Sequence, residues 1–248
     1  MPPKIRSETA APPKPSPALA TKNSYLLLYN AVSAALWASV LYKVVSIVGQ
    51  DVNSGNLGKG VGGLWSVFGF EGRKTWGGVY EESEEWVRLV QTGAVLEVVH
   101  SLTGVVRAPL LTTLMQVSSR LLLTWGIAHP FPETTKYNPA FSSMLLAWSI
   151  TEVIRYSYFA FSLSGVGVPA FLTWLRYNTF LILYPLGVSS EIWLIVSTLH
   201  TPPAEKMHEY YPFFLYGILV SYVPGFYTLF TYMLAQRRRI LGVGKKTQ

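Results

Sequence analysis

The sequence predicts an all-α integral membrane protein: a bundle of six transmembrane helices with its active site in the bundle interior. Three observations carry that prediction. Half of the 248 residues are hydrophobic and only 13% are charged, against about 25% in an average soluble domain. The apolar residues gather in six runs, each close to or above the roughly 20 residues that cross a ~30 Å hydrocarbon core. An inward polar set that includes Glu97, Arg120, Glu152, Arg155, Arg176 and Glu191 is spread over the second to fifth of them, where each ionisable group needs a partner or a water-filled cavity.

Residues 1–22 hold six prolines and four basic residues with few large apolar side chains, so they read as a disordered basic tail. The catalytic domain is expected over 23–236. Its first span is 25–48. Residues 49–85 contain ten glycines and the acidic run Glu81–Glu85, punctuated by Trp65, Phe68, Phe70, Trp76 and Tyr80, and predict a glycine-rich interfacial loop. The second span, 89–106, carries Glu97, His100, Ser101 and Thr103. Arg107 and Pro109 end it. The third span, 110–128, follows after a short connection, which implies an antiparallel neighbour, and it holds Arg120 in its middle. The fourth, 141–163, contains Glu152 and Arg155, three residues apart and therefore on one helical face, where they suit an internal ion pair.

The fifth span, 171–199, has a different character. Tyr184 and Glu191 are seven apart, so on an α-helix they differ by roughly 20° in direction and face one pocket two turns apart. Pro185 removes a backbone hydrogen bond to Leu181 and predicts a bend between them. Gly187, Ser189 and Ser190 loosen the same segment. The sixth span, 211–235, includes Pro224 and Gly225. Residues 237–248 form a basic tail with Arg237, Arg238, Arg239, Lys245 and Lys246.

An even number of spans places both termini on one side of the membrane. The tails and the Arg107 turn carry ten basic residues and the opposite loops six, which makes the termini cytosolic by the positive-inside rule. Lys245 and Lys246, fourth and third from the C-terminus, then have the spacing of a dilysine retrieval signal for the endoplasmic reticulum. The net charge of +7 belongs to these flanks, and no nucleic-acid partner is expected.

The chemistry open to such a chain is narrow. With no cysteine, disulfides, thiolate metal sites and cysteine nucleophiles are excluded. His100-Ser-Leu-Thr-Gly-Val-Val-Arg107 has the outline of a phosphatase phosphate loop, but serine stands where the thiolate is needed. No P-loop, no HExxH and no Gly-x-Gly-x-x-Gly occurs, and four scattered histidines form no ligand cluster, so neither a metal nor a cofactor is expected. Glu191 lacks a cation nearby in sequence and reads as functional. Positioned protic groups of this kind serve general acid–base catalysis.

Several co-ordered motifs resemble one family, the membrane-bound 3-hydroxyacyl-CoA dehydratases of very-long-chain fatty-acid elongation, also called protein-tyrosine-phosphatase-like proteins. They are Leu96-Glu-Val-Val-His-Ser-Leu-Thr-Gly-Val-Val-Arg107, Gln116-Val-Ser-Ser-Arg120, Trp148-Ser-Ile-Thr-Glu-Val-Ile-Arg-Tyr156, Leu175-Arg-Tyr177, Leu183-Tyr-Pro-Leu-Gly-Val-Ser-Ser-Glu191 and Pro224-Gly225. The resemblance implies six spans, an endoplasmic-reticulum membrane, an acyl-CoA substrate, and elongation-cycle partners (a condensing enzyme and reductases). It also implies a catalytic Tyr and Glu seven apart, which fall on Tyr184 and Glu191. Some members carry Cys after the His and Pro at the position of Arg107; neither is a catalytic position in the family.

The residues themselves agree with that implication. Dehydrating a 3-hydroxyacyl thioester means removing a proton from C2 and protonating the C3 hydroxyl as it leaves, and two positioned groups suffice. The spacing leaves open which residue is acid and which base. Arg107 and Arg176 are candidates for the CoA phosphates. Arg120 or Arg155 is expected to hold Glu191 or Glu97, with Glu152, Tyr177, Ser189 and Ser190 also near the substrate. Two other readings are a transporter or channel lined by Glu97, Glu191 and the arginines, and a non-catalytic scaffold of an elongation complex. No inverted repeat favours the transporter. Entry of the fifth span near Phe171 sets Tyr184 ~20 Å and Glu191 ~30 Å deep, far for a bulky, polar CoA.

Overall fold

A computed structural model describes residues 17–53, 77–201 and 207–242. Residues 1–16, the glycine-rich 54–76 and the dilysine pair Lys245 and Lys246 lie outside the described residues. Every described element is a helix: α1 Pro17–Asn53, α2 Gly77–Thr92, α3 Val95–Leu102, α4 Leu110–Leu121 continuing into a π-helical stretch Leu122–Ala128, α5 Pro132–Thr135, α6 Pro139–Leu163, α7 Ala170–Asn178, α8 Phe180–Leu199 and α9 Tyr211–Leu241. Three of them are long and apolar enough to cross a membrane, within Leu19–Gln50, Phe180–Leu199 and Tyr211–Leu241.

Helix α6 is the centre of the packing, lying against α1 on one side and α8 on the other. It is apolar around most of its circumference, as a central helix should be, and buries Phe141, Met144, Leu145, Ala147 and Trp148. All of these but Ala147 meet Trp37, Val40 and Val44 of α1 and Leu194 and Ile195 of α8 in one core. Helix α9 behaves differently. Leu215 is its one buried residue, while Phe213, Val220, Val223 and Tyr227 are open, the pattern of a face turned to lipid.

Cross-links fix the helix directions. At one end Tyr25 of α1 meets His100 of α3 at 2.8 Å and Arg237 of α9 bonds Asn178 of α7. At the other, Lys43 of α1 reaches Glu82 of α2, Asn138 reaches Ser197 of α8, and the Tyr211 hydroxyl of α9 donates to the Gly126 carbonyl at 2.6 Å. The start of α1, the end of α6 and the end of α9 thus share one end of the bundle.

Several expected boundaries shift. Pro17–Lys22 of the expected tail are helical, because α1 begins there and not at Tyr25. The expected loop 49–85 is helical at both ends: α1 runs to Asn53, and Gly77–Glu85 with its acidic run belongs to α2. That helix forms because Val79, Ser83, Val87 and Val90 recur at helical spacing and are all buried, which outweighs the weak helix propensity of the paired glycines at its start. The expected span 89–106 is broken at Gly93 and ends as helix at Leu102. The expected span 171–199 does not break at Pro185, which sits inside α8. It divides at Thr179, whose amide and hydroxyl both bond the Leu175 carbonyl at 2.9 and 2.8 Å, a side-chain bond of the kind that bends helices. The sixth helix continues past Ala235 to Leu241, taking Arg237, Arg238 and Arg239 with it.

Candidate active site

Helix α8 turns Glu191 toward α6 and α9, and only 8% of the residue remains exposed. Its carboxylate is held by two neutral donors. The Trp148 indole Nε1 of α6 donates to Oε1 at 2.8 Å, and the Tyr222 hydroxyl of α9 donates to Oε2 at 2.7 Å. Gly187, one turn earlier, faces the same seam: a Cβ there would stand 3.7 Å from the Ala147 Cβ and 3.9 Å from Trp148 Cδ1, ordinary van der Waals contact. Ser190 tightens the same seam through its hydroxyl contact with Ser143 at 2.7 Å.

Two turns before Glu191, the half-buried Tyr184 lies on the same side of α8. Its ring stacks on Phe226 and Phe230 of α9, with centroids 5.2 and 6.2 Å away. The phenol stands within electrostatic range of both Glu191 and Tyr222. One face of α8 therefore presents a phenol and a carboxylate to α9, as the seven-residue spacing predicts.

A second polar cluster lies behind Trp148, among α3, α4 and α6. Glu152, 2% exposed, receives Arg120 on Oε1 and Arg155 on Oε2. Arg155 forks to both oxygens of Glu97 at 3.0 and 2.6 Å, and the Tyr156 hydroxyl donates to the same carboxylate. Two guanidinium groups thus meet two carboxylates, so the cluster is neutral as a unit and nearly saturated in hydrogen bonds. The expected pair between Glu152 and Arg155 is present, and Arg155 holds Glu97 as anticipated. The Arg120 guanidinium lies 5.1 Å from the Trp148 ring centroid, a cation–π distance. The ion-pair cluster and Glu191 are therefore joined by one indole, with Arg120 on its face and the carboxylate on its N–H.

The remaining expected site residues separate. Arg107 is exposed beyond α3. Ser189 is exposed and bonds the Leu186 carbonyl of its own helix. Arg176 lies over the rings of Tyr158 and Phe159 at 4.5 and 4.7 Å, and Tyr177 packs edge-on against Tyr158. Outside the helices' apolar segments, the Lys136 ammonium pairs with Glu81, whose hydrogen bond raises its pKa above the usual lysine value. Sequence reasoning missed Tyr222 and the donor role of Trp148. Tyr222 is one of 15 tyrosines and is 31 residues from its partner, so nothing local marks it.

The family described as "Protein tyrosine phosphatase-like protein, PTPLA" matches residues 91–243, which include Glu97, Arg120, Trp148, Glu152, Tyr184, Glu191 and Tyr222. The chain belongs to this family. It is 43% identical over 221 residues to the probable very-long-chain (3R)-3-hydroxyacyl-CoA dehydratase of Schizosaccharomyces pombe, covering 88% of this chain and 93% of that one. It is 36% identical over 234 residues to the very-long-chain (3R)-3-hydroxyacyl-CoA dehydratase of Caenorhabditis elegans, covering 90% and 97%. With the PASTICCINO 2 dehydratase of Arabidopsis thaliana the identity is 38% over 233 residues, covering 90% and 95%. No solved structure matches the chain.

Proposed function

We propose that this protein converts very-long-chain (3R)-3-hydroxyacyl-CoA to trans-2-enoyl-CoA, the dehydration step of microsomal fatty-acid elongation, with Tyr184 and Glu191 as its acid–base pair. The observation that carries the site is the way Glu191 is held. Its two oxygens accept hydrogen bonds from the neutral Trp148 and Tyr222, so it is fixed as an acceptor on the face it shares with Tyr184. Glu191 removes the proton from C2, which the thioester acidifies. The C2=C3 bond forms as the C3–O bond breaks, and the Tyr184 hydroxyl gives its proton to the departing oxygen. Water leaves, and the proton returns from Glu191 to the Tyr184 phenolate. The sequence is redox-neutral and consists of two proton transfers with the substrate and a third that resets the pair, so side chains alone perform it.

The wider arrangement follows from the same reading. The helices form six membrane spans, with both termini cytosolic, in the endoplasmic reticulum. Lys245 and Lys246 act as the retrieval signal, and the neighbours are the condensing enzyme and reductases that supply the hydroxyacyl thioester and consume the enoyl product. Purified protein incubated with a long-chain (3R)-3-hydroxyacyl-CoA is the test. Formation of 2-enoyl-CoA that is lost in Tyr184→Phe and Glu191→Gln is expected. Absence of product from the unaltered protein contradicts the activity, and product that persists in both variants contradicts the site.

A further inference from the structure

A cavity of about 160 Å³ opens between α6, α7, α8 and α9, lined among others by Thr151, Arg155, Arg176, Phe180, Met233 and Gln236. It lies beside the proposed reaction centre and not at it. Phe180, on its wall, is one turn before Tyr184 and packs edge-on against Phe230 at 6.0 Å. Phe230 in turn stacks on Tyr184. The cavity and the phenol thus share one aromatic wall. Its other end is where α9 finishes: Gln236 lines it, Arg237 bonds Asn178 of α7, and Arg238 and Arg239 follow within the last turn.

The two arginines on the lining are in different states. Arg155 is committed to Glu97 and Glu152. Arg176 has no carboxylate partner among the described residues; it is instead stacked between aromatic rings. A guanidinium seated over aromatic rings and without a carboxylate partner suits phosphate, which its forked N–H donors can meet bidentately. The volume also discriminates. Ligand pockets for drug-sized molecules run to roughly 300–1,000 Å³, so this cavity admits a slender flexible arm and keeps a nucleotide outside.

Resting on the dehydratase reading above, we infer that this cavity is the entry for the pantetheine arm of an acyl-CoA, with Arg176 binding a phosphate of the CoA at its mouth. Arg176 precedes Tyr184 by eight residues, at most about 12 Å of helical rise, with the division at Thr179 between them. The thioester then reaches Tyr184 by threading from the side at the level of Arg176, without crossing from the start of α7 near Phe171. The adenine nucleotide stays in the aqueous layer beside Arg238 and Arg239. The acyl chain runs on past Glu191.

Equilibrium binding tests this without relying on turnover. The probe is a saturated long-chain acyl-CoA, which has no hydroxyl to lose, compared with the same acyl chain on pantetheine, which has no phosphate. Arg176→Gln should weaken acyl-CoA binding about ten-fold, the loss expected for one charge-assisted hydrogen bond, and leave acyl-pantetheine binding unchanged. Arg176→Lys, which keeps the charge, should retain most of the affinity. Unchanged acyl-CoA affinity in Arg176→Gln, equal losses for both thioesters, or no acyl-CoA binding by the unaltered protein overturns the assignment. Binding that behaves as expected in a protein that forms no enoyl product overturns the dehydratase reading and leaves the cavity assignment standing.

Discussion

Glu152 and Glu191 are both buried carboxylates, one on α6 and one on the adjoining α8, and they are held in opposite ways. Glu152 is gripped by two guanidinium groups, and its cluster closes on itself through Arg155 and Glu97. Among the described residues, Glu191 receives an indole and a phenol. A carboxylate inside a matched set of cations joins helices and has no lone pair to spare for chemistry. One held by neutral donors keeps its acceptor capacity, and it shares a face with a second protic group. The difference teaches where in a polar membrane interior to look for reaction: at the carboxylate held by neutral donors, and not at the densest group of ionisable residues.

The largest expected effects separate the two carboxylates by kind. Glu191→Gln and Tyr184→Phe should each lower kcat by roughly 10²–10⁴-fold, the usual contribution of a general acid or base, with an unchanged thermal midpoint in detergent. Glu152→Gln should do the reverse. It leaves Arg120 and Arg155 facing a neutral amide in a buried site, and breaking a buried pair costs about 3–5 kcal/mol, read as a lowered unfolding midpoint, while the protein that remains folded still turns over. A weaker effect is expected at Tyr222. Tyr222→Phe removes one hydrogen bond to a charged group, about 1.5–3 kcal/mol, and should lower kcat/KM by roughly 10–100-fold without the stability loss of Glu152→Gln.

The smallest effect belongs to the surface. Glu81→Gln removes the exposed partner of Lys136, and no measurable change in stability or activity is expected. The sign of its pH dependence is fixed by the raised pKa of Lys136: the contribution is complete below the ordinary lysine pKa and fades only as the pH rises through the raised one. Stability profiles from neutral pH up to the ordinary lysine pKa should therefore not report it.

The parts of the site readable from sequence are those that lie on one helix. The seven-residue spacing of Tyr184 and Glu191 and the three-residue spacing of Glu152 and Arg155 are helix geometry, and both pairs sit as that geometry demands. What joins helices was not readable. Trp148 and Tyr222 reach Glu191 from 43 and 31 residues away, and nothing in their local sequence distinguishes them from the other aromatics. The backbone irregularities behave likewise. Pro185 is the conspicuous breaker, yet α8 runs through it, and the division falls at Thr179, where a hydroxyl competes for a carbonyl. Helix α2 was obscured by glycine and glutamate content, although the spacing of Val79, Ser83, Val87 and Val90 carried the signal.

The most direct measurement is the conversion of a long-chain (3R)-3-hydroxyacyl-CoA by Glu191→Gln protein whose unfolding midpoint equals that of the unaltered chain, assayed beside Glu152→Gln. Loss of enoyl-CoA formation in the first, with turnover preserved in the folded fraction of the second, is the predicted result. A Glu191→Gln protein that works within a few-fold of the unaltered rate would contradict the assignment of Glu191 as the reactive carboxylate.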